Sequence, residues 1–177
     1  EKNKRVGEKL RISGGGRCNI TNAELDTNVL LSHFAEAAPF LHSAFSKFGV
    51  EDTFSFFESR GLPLVVEAHK RAFPNTQKAE DVCKVLETYM KRGKVQVRTG
   101  MSVTDIQEKR GRIQKVICGT QEFMTSACIL ATGGASHPET GSTGDGFPIL
   151  ERLGHTIMPP TPTIVPLRIK EKWVHKL

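Results

Sequence analysis

The chain has 177 residues and a formal net charge of +6, and 38% of its residues are hydrophobic and 25% charged, a composition typical of a globular rather than a disordered protein. It contains no apolar run of 18 residues and no basic-then-apolar leader, so the sequence predicts neither a transmembrane helix nor secretion. Its four cysteines form no C-x-x-C pair, so we expect reduced thiols, no metal site and a cytoplasmic location.

The first part of the chain is predicted to be helical after a polar beginning. Residues 1–22 are polar and glycine-rich, and a helical pattern then extends from Ala23 to about Gly61 with an interruption at Pro39. Seven of the ten phenylalanines lie in this stretch. Because phenylalanine-rich helical faces usually pack into a core, we predict that these rings are buried.

Strands and one long helix are predicted next. Pro63–Glu67 has the composition of a strand, Arg71–Thr76 is typical of a turn, and Lys94–Arg98 alternates as a strand does. Between the last two segments, Lys78–Arg92 has the apolar spacing of an amphipathic helix, and Gly93 is placed to end it.

A hairpin, a buried strand and a helix complete the predicted pattern. Ser102–Lys109 and Arg112–Gly119 flank a turn at Gly111 and indicate a hairpin. Glu122–Ala131 ends in an apolar run that predicts a buried strand, and a helix is predicted from Phe147 to Gly154. This order of elements predicts an α/β fold rather than a helical bundle or a β-sandwich.

A proline-rich stretch marks a predicted domain boundary. Residues 158–166 contain four of the nine prolines, a composition typical of linkers and domain crossings. We therefore expect one domain over residues 1–158 and the start of a second, β-rich domain over residues 159–177.

The excess positive charge is concentrated at the beginning of the chain. Residues 1–17 contain six basic and two acidic residues, a net charge of +4, whereas the remaining residues together have a net charge of +2. Such a basic end suits a small anion such as a pyrophosphate about as well as a nucleic-acid backbone. A solvated terminus without a ligand explains the same charges.

Three glycine-containing segments have the composition of ligand-binding loops. The first is Ser13–Asn19, where three consecutive glycines permit a left-handed backbone and the close approach of an anion, and Arg17, Asn19 and Thr21 add polar donors. A flexible loop or a tight turn explains the glycines equally well. The segment is not a P-loop, because the pattern G-x-x-x-x-G-K-[ST] is absent.

The other two segments lie later in the chain. Ile129–Gly134 is predicted to end a buried strand with small residues, which let a planar or phosphorylated ligand lie at the edge of a sheet. Thr140–Gly146 combines hydroxyls, glycines and a carboxylate just before the N-terminus of a helix, which attracts anions. An ordinary strand exit would explain the first pattern, and Asp145 could equally be a plain helix cap.

These segments resemble the signature of a bacterial flavoprotein family. Lys9–Asn22, with the sequence KLRISGGGRCNITN, is similar to the motif of the aminoacetone oxidase family of FAD-dependent oxidoreductases, also called BaiN- or YhiN-like. Arg71–Pro74 with Lys78-Ala79, then Ala131–Gly134 and Thr140–Gly146, resemble further stretches of that family in the same order. The resemblance spans nearly the whole chain and implies a partial, Rossmann-like three-layer FAD/NAD(P)-binding domain with a helical insertion and a β-hairpin.

The resemblance also implies which residues bind the cofactor. The glycine loop would lie beside the flavin and its ribityl phosphate, Glu1 near the adenosine ribose, Val103 against the adenine, and Ala131–Gly134 near the adenosine diphosphate. Cys18 would be a neighbour of the flavin rather than half of a dithiol centre, and no catalytic acid or base stands out. The residues expected to bind FAD are Glu1, Lys2, Ser13, Gly14, Gly15, Gly16, Arg17, Cys18, Asn19, Thr21, Val103, Ala131, Thr132, Gly133, Gly134, Thr143, Gly144 and Asp145.

In the family that the chain resembles, a G-x-G-x-x-G unit precedes the position of Glu1 and a later part completes the flavin site. We therefore expect this chain to be a piece of a longer protein and to be inactive, with weak FAD binding, when isolated. The full-length protein is expected to transfer electrons between a small organic substrate and an acceptor such as oxygen or NAD(P).

Two other classes of function compete with this prediction. A nucleic-acid-binding module would use the basic residues 1–17, but a single Tyr, a single Trp and the lack of a recognisable motif disfavour it, and we expect no nucleic-acid partner. A purely structural interaction domain would leave the glycine segments unexplained.

Overall fold

The computed structural model describes residues 1–162, which belong to two compact units. The first unit comprises Glu1–Met101, and the second begins at Ser102. The domain boundary near residue 158 stays a prediction, and residues 163–177 of the expected second domain lie outside the described residues. Every helix within residues 1–162 is too short or too polar to span a lipid bilayer.

The first unit combines α-helices with one antiparallel sheet. The helices are α1 (Glu8–Gly16), α2 (Thr27–Ser32), α3 (Ala38–Phe45), α4 (Val50–Glu58) and α5 (Ala79–Arg92). The strands are β1 (Thr21–Asn22), β2 (Leu64–Glu67) and β3 (Arg71–Pro74), which pair in the order β1-β3-β2. The helical stretch predicted from Ala23 and the strand predicted at Pro63–Glu67 are therefore confirmed.

Local capping interactions determine where these helices begin and end. The Asp26 carboxylate accepts hydrogen bonds from two backbone N–H groups of α2, at 2.8 and 3.2 Å, and the Asp52 carboxylate accepts one from Gly49 N at 2.7 Å before α4. The helix α5 has acidic residues in its first turn and basic residues in its last, which complements the helix dipole. It ends at Gly93, as predicted.

The core of the first unit contains only part of the phenylalanine-rich stretch. Phe57 packs with Cys18, Leu62 and Val82 and is 7% exposed, but Phe40 is 85% exposed. The prediction that all seven rings are buried is therefore wrong. A short helix turns only one face towards a core, and the rings of α3 and α4 occupy more than one face.

Two predictions about strands in the first unit are also wrong. The turn predicted at Arg71–Thr76 is instead the central strand β3 over its first four residues, because pairing with β1 and β2 on both sides overrides the local turn composition. Lys94–Arg98 forms no strand, since a strand requires a hydrogen-bonded neighbour. The beginning of the chain bonds at the end of that segment and beyond it: the Glu1 amino group donates to Arg98 O at 3.1 Å, and Gly100 N donates to Asn3 O at 2.9 Å.

The second unit contains a three-stranded antiparallel meander and a short helix. The strands are β4 (Asp105–Lys109), β5 (Arg112–Cys118) and β6 (Gln121–Met124), and the helix is α6 (Gly146–Arg152). The predicted hairpin is confirmed as β4–β5, and its turn residues Arg110 and Gly111 have φ of 56° and 73°, as a type I′ turn requires. The predicted helix after Phe147 is confirmed as α6.

The buried strand predicted at Glu122–Ala131 is confirmed only as far as Met124. Residues 125–134 form no strand, and Ile129 is 93% exposed. An apolar run becomes a buried strand when other strands pair with it on both sides. No strand of the described part of the chain pairs with this run.

Candidate cofactor-binding loops

The glycine loop, residues 13–19, follows the regular turns of α1. Ser13 leaves the helix with a ψ of 148°, and Gly14, Gly15 and Gly16 have φ of 56°, 66° and 84°. The left-handed backbone predicted from the three glycines is therefore confirmed at each of them. This conformation is open to glycine at little cost and strained for most other residues.

The glycines of this loop differ in what surrounds them. A Cβ on Gly14 would lie 2.8 Å from the backbone nitrogen of Asn19 and 3.1 Å from the ring of Phe73, so internal packing requires glycine there. A Cβ on Gly15 would have no heavy atom within 4 Å, and the residue is exposed. The backbone at Gly15 is therefore open to the close approach of a ligand atom, which fits a loop that holds part of a dinucleotide.

Arg17 fastens the glycine loop to the sheet. Its Nη1 donates to both carboxylate oxygens of Glu67 at 3.1 Å and to Oε1 of Gln77 at 3.2 Å. Its guanidinium carbon lies 4.1 Å from the ring centre of Phe73. These contacts orient the loop from within the protein, and the contact between Arg17 and the cofactor stays a prediction.

Sequence reasoning missed Glu67 and Gln77, the partners of Arg17. They lie 50 and 60 residues further along the chain, so no local spacing relates them to the glycine loop. The signal that could have pointed to Glu67 is its position as a carboxylate at the end of a predicted strand, where side chains of neighbouring segments converge.

Ion pairs neutralise the arginines of the basic N-terminal segment. Arg5 pairs with Glu8 at 2.6 Å, and Arg11 pairs with Glu80 at 2.8 Å and Glu87 at 3.3 Å. The hydrogen bond from Arg11 lowers the pKa of Glu80, and the one from Arg5 lowers the pKa of Glu8. Each arginine within residues 1–17 therefore has a carboxylate partner, so this segment attracts an external anion less than its count of basic residues implies.

Cys18, near the end of the glycine loop, is part of the core and is 3% exposed. Burial raises the pKa of its thiol, although a hydrogen bond with Ser13 lowers it in part. Since the thiolate is the reactive form, this cysteine is suited to packing rather than to redox chemistry. The four cysteines are free thiols, and within residues 1–162 no three metal-ligating side chains come together.

The two later glycine segments fold against each other to form one loop cluster, residues 131–146. Gly144 N donates to Gly134 O at 3.1 Å. A Cβ on Gly133 would lie 3.1 Å from Oγ of Ser142, and one on Gly146 would lie 2.5 Å from Oγ1 of Thr132. The two segments that the sequence presents as separate cofactor candidates are thus a single structural feature.

Hydroxyl groups hold the backbone of this loop cluster. Thr140 is 9% exposed, and its Oγ1 donates to the carbonyl of His137 at 2.7 Å. Asp145 occupies the N-cap position of α6, and its carboxylate accepts a hydrogen bond from the Thr143 hydroxyl at 2.5 Å rather than capping the helix. The cap interpretation of Asp145 is therefore right about its position and wrong about its hydrogen bond.

The remaining predicted cofactor residues divide between the two units. Glu1 Oε1 accepts a hydrogen bond from Asn3 N at 2.8 Å, and Glu1 O accepts one from Met101 N at 3.0 Å. Glu1, Lys2 and the residues as far as Thr21 lie in the first unit. Val103 is half-buried in the second unit and lies in an irregular segment just before β4, although the predicted strand Ser102–Lys109 includes it.

Comparison with known proteins gives one family and several relatives. The family described as HI0933-like protein Rossmann domain matches residues 1–171. The 3-dehydro-bile acid delta(4,6)-reductase of Clostridium scindens is 30% identical over 172 residues, which cover 97% of this chain and 41% of that protein. Ribosomal RNA dihydrouridine synthases of Haemophilus influenzae and Escherichia coli are 27% and 26% identical over 95% and 98% of this chain. The chain spans about two fifths of the length of these curated relatives.

Proposed function

The chain belongs to the HI0933-like Rossmann-domain family, and from that premise we propose that it is part of an FAD-dependent oxidoreductase that saturates a carbon–carbon double bond. Rossmann domains bind dinucleotides, and FAD is the dinucleotide that the resemblance to a flavoprotein family implies. The family membership and the α/β, Rossmann-like fold agree with what the motifs predict.

The observation that supports cofactor binding most directly is the backbone conformation and exposure of Gly15. Its left-handed, exposed backbone has open space where a side chain would lie, although no neighbouring group of the protein uses that space. Gly15 and Gly16 would hold part of FAD through their backbone. FAD, when bound, supplies hydride transfer, and these residues orient it and exclude water.

The names of the relatives support the class of reaction. One relative is named as a delta(4,6)-reductase of a 3-dehydro compound, and two are named for forming dihydrouridine. Both names describe saturation of a double bond conjugated with a carbonyl group. Such a bond accepts hydride at the carbon remote from the carbonyl, because the carbonyl oxygen takes up the developing charge, and a proton completes the product. We propose a conjugated enone as the substrate class, with NAD(P)H as the electron donor.

Uridine in RNA is a second candidate substrate, favoured by the names of two of the three relatives. It contains the same conjugated unit within a polymer. Anaerobic turnover of a small enone and of an RNA transcript by the same preparation separates the two, since only one should be saturated at a rate that depends on the bound flavin.

The test of flavin binding uses Gly15→Asn with Gly61→Asn as its matched control, in the full-length protein. Both positions are exposed and left-handed, with φ of 66° and 81° and nothing within 4 Å of an added Cβ. Asparagine tolerates this backbone better than most residues, so the strain is similar at both sites. We expect Gly15→Asn to weaken FAD binding at least about 10-fold and Gly61→Asn to leave it unchanged, as measured by titration of flavin fluorescence.

Two results would contradict this proposal. Equal FAD affinity in the two variants would mean that Gly15 does not face the cofactor. A wild-type protein that takes up no FAD, as judged by the absence of flavin absorbance near ~450 nm after dialysis against FAD, would exclude a flavoprotein altogether.

A further inference from the structure

The basic residues at the end of α5 differ from those at the beginning of the chain. Lys91, Arg92 and Lys94 are exposed, and none of them forms an ion pair within residues 1–162. The arginines of residues 1–17, by contrast, are all held by carboxylates. The last turn of α5 and Lys94 just beyond it therefore present a group of positive charges that no carboxylate neutralises within residues 1–162.

Of these three residues, Arg92 lines an open cavity of about 670 Å³ where α4 and α5 end, which we name the α4–α5 cavity. Its lining includes Arg60, Tyr89 and Arg92 and no acidic side chain. Two helix C-termini lie near it, and together they are equivalent to roughly one negative charge. The two guanidinium groups exceed this, so the cavity attracts anions.

Arg60 is fixed in a stacked arrangement at this cavity. Its guanidinium carbon lies 3.9 Å from the ring centre of Phe56 and 4.6 Å from that of Tyr89. Its Nη1 donates to the Phe56 carbonyl at 2.7 Å and to Ser59 Oγ at 3.2 Å, so Nε and Nη2 have no hydrogen-bond partner within residues 1–162. The Arg60 guanidinium is therefore an ordered planar group whose Nε and Nη2 can donate hydrogen bonds to a ligand.

Tyr89 gives the cavity an accessible aromatic surface. Its residue is 51% exposed, although its ring also packs edge-on against Phe56 at 5.1 Å between ring centres. An exposed ring beside an ordered guanidinium and unpaired cations is the combination by which proteins bind single-stranded nucleic acid: bases stack on the ring and phosphates meet the cations.

We propose that the α4–α5 cavity binds a single-stranded RNA segment, with a base stacked on Tyr89 and phosphates contacting Arg60 and Arg92. The geometry and charge of the cavity suit an anionic ligand with aromatic groups, and relatives named as ribosomal RNA dihydrouridine synthases favour RNA among such ligands. The choice of RNA rests on the second candidate substrate of the proposed function and replaces the expectation that the protein has no nucleic-acid partner. The docking surface itself would operate whether or not the bound strand is the reduced substrate.

The experiment measures binding of a fluorescein-labelled 12-nucleotide single-stranded RNA to the full-length protein by fluorescence anisotropy. We expect Tyr89→Ala to weaken binding about 5- to 150-fold and Tyr89→Phe to preserve it, because phenylalanine retains the stacking face. Arg92→Ala should weaken binding. It should also reduce the slope of log Kd against log salt by the amount expected for the loss of about one phosphate contact. Arg112→Ala, which removes an exposed charge from β5 of the second unit, is the matched control and should change neither.

Each other outcome overturns the proposal. Failure of the wild-type protein to bind the RNA at low salt would do so, as would equal effects of Arg92→Ala and Arg112→Ala, or full competition by polyglutamate, which would indicate an acidic protein partner. FAD titration of the same samples shows whether each variant is folded and reports separately on the proposed oxidoreductase function, since RNA binding in this assay requires no flavin.

Discussion

The glycine loop of residues 13–19 and the loop cluster of residues 131–146 both depend on glycine, but they exclude larger residues in different ways. In the glycine loop, the added Cβ of Gly14 would meet the backbone nitrogen of Asn19 at 2.8 Å. In the loop cluster, the added Cβ of Gly146 would meet the hydroxyl of Thr132 at 2.5 Å. A backbone atom cannot move without its chain, whereas a side chain can rotate or be replaced. The requirement for glycine at position 14 therefore cannot be relieved by replacing a side chain, whereas the requirement at position 146 depends on the side chains of Thr132 and Leu130.

The largest expected effect is that of Gly14→Ala in the glycine loop. Strain at a φ of 56° and overlap with the Asn19 backbone should together destabilise the fold by about 2–5 kcal/mol. Gly16→Ala is the control, because its φ is also left-handed but its nearest neighbour would be 4.0 Å away. Urea unfolding of the two variants measures the difference, and equal losses would mean that the backbone contact contributes nothing.

A smaller effect, and one that a second substitution can reverse, is expected at Gly146. Its backbone is helical, so Gly146→Ala adds crowding without left-handed strain and should cost about 1–3 kcal/mol. Replacing the neighbour as well, in Gly146→Ala/Thr132→Ala, should recover at least half of that loss. Thermal unfolding of the single and double variants tests the comparison directly. Simple addition of the two single effects would show that the hydroxyl of Thr132 is not the obstacle.

The smallest expected effect concerns how Arg17 fastens the glycine loop to Glu67. The two side chains are 38% and 31% exposed, so solvent screens their attraction, and we expect a coupling free energy of about 0.5–1 kcal/mol. A double-mutant cycle of Arg17→Ala and Glu67→Gln measures it through the free energy of unfolding. The coupling should decrease in high salt. A coupling of zero at low salt would mean that stacking on Phe73, not the ion pair, holds the loop.

Local patterns were sufficient for the features whose partners lie close in sequence. The amphipathic spacing of α5 and its final Gly93, the β4–β5 hairpin and the left-handed glycines of residues 14–16 were all predictable, because each depends on residues within about one turn or one hairpin. The family was also predictable, because its motif is a contiguous run of residues.

Predictions failed where pairing or burial depends on distant residues. The turn composition of Arg71–Pro74 gave no sign that β1 and β2 would pair with it on both sides. The apolar run around Ile129 indicated a buried strand, yet within residues 1–162 no strand pairs with it. The hydrophobic pattern indicates which residues are stabilised by burial. Whether a segment becomes a buried strand depends on whether other strands lie beside it and pair with it.

The sequence by itself determined the glycine conformations, the end of α5 at Gly93, the hairpin turn and the membership of a Rossmann-domain family, since sterics and short-range hydrogen bonds act between near neighbours along the chain. Only the tertiary structure decided which charges are compensated. It pairs Arg17 with Glu67, 50 residues away, and leaves Arg92 without an ion pair within the part of the chain described. An ion pair requires two groups within about 4 Å of each other, and packing alone brings distant residues that close.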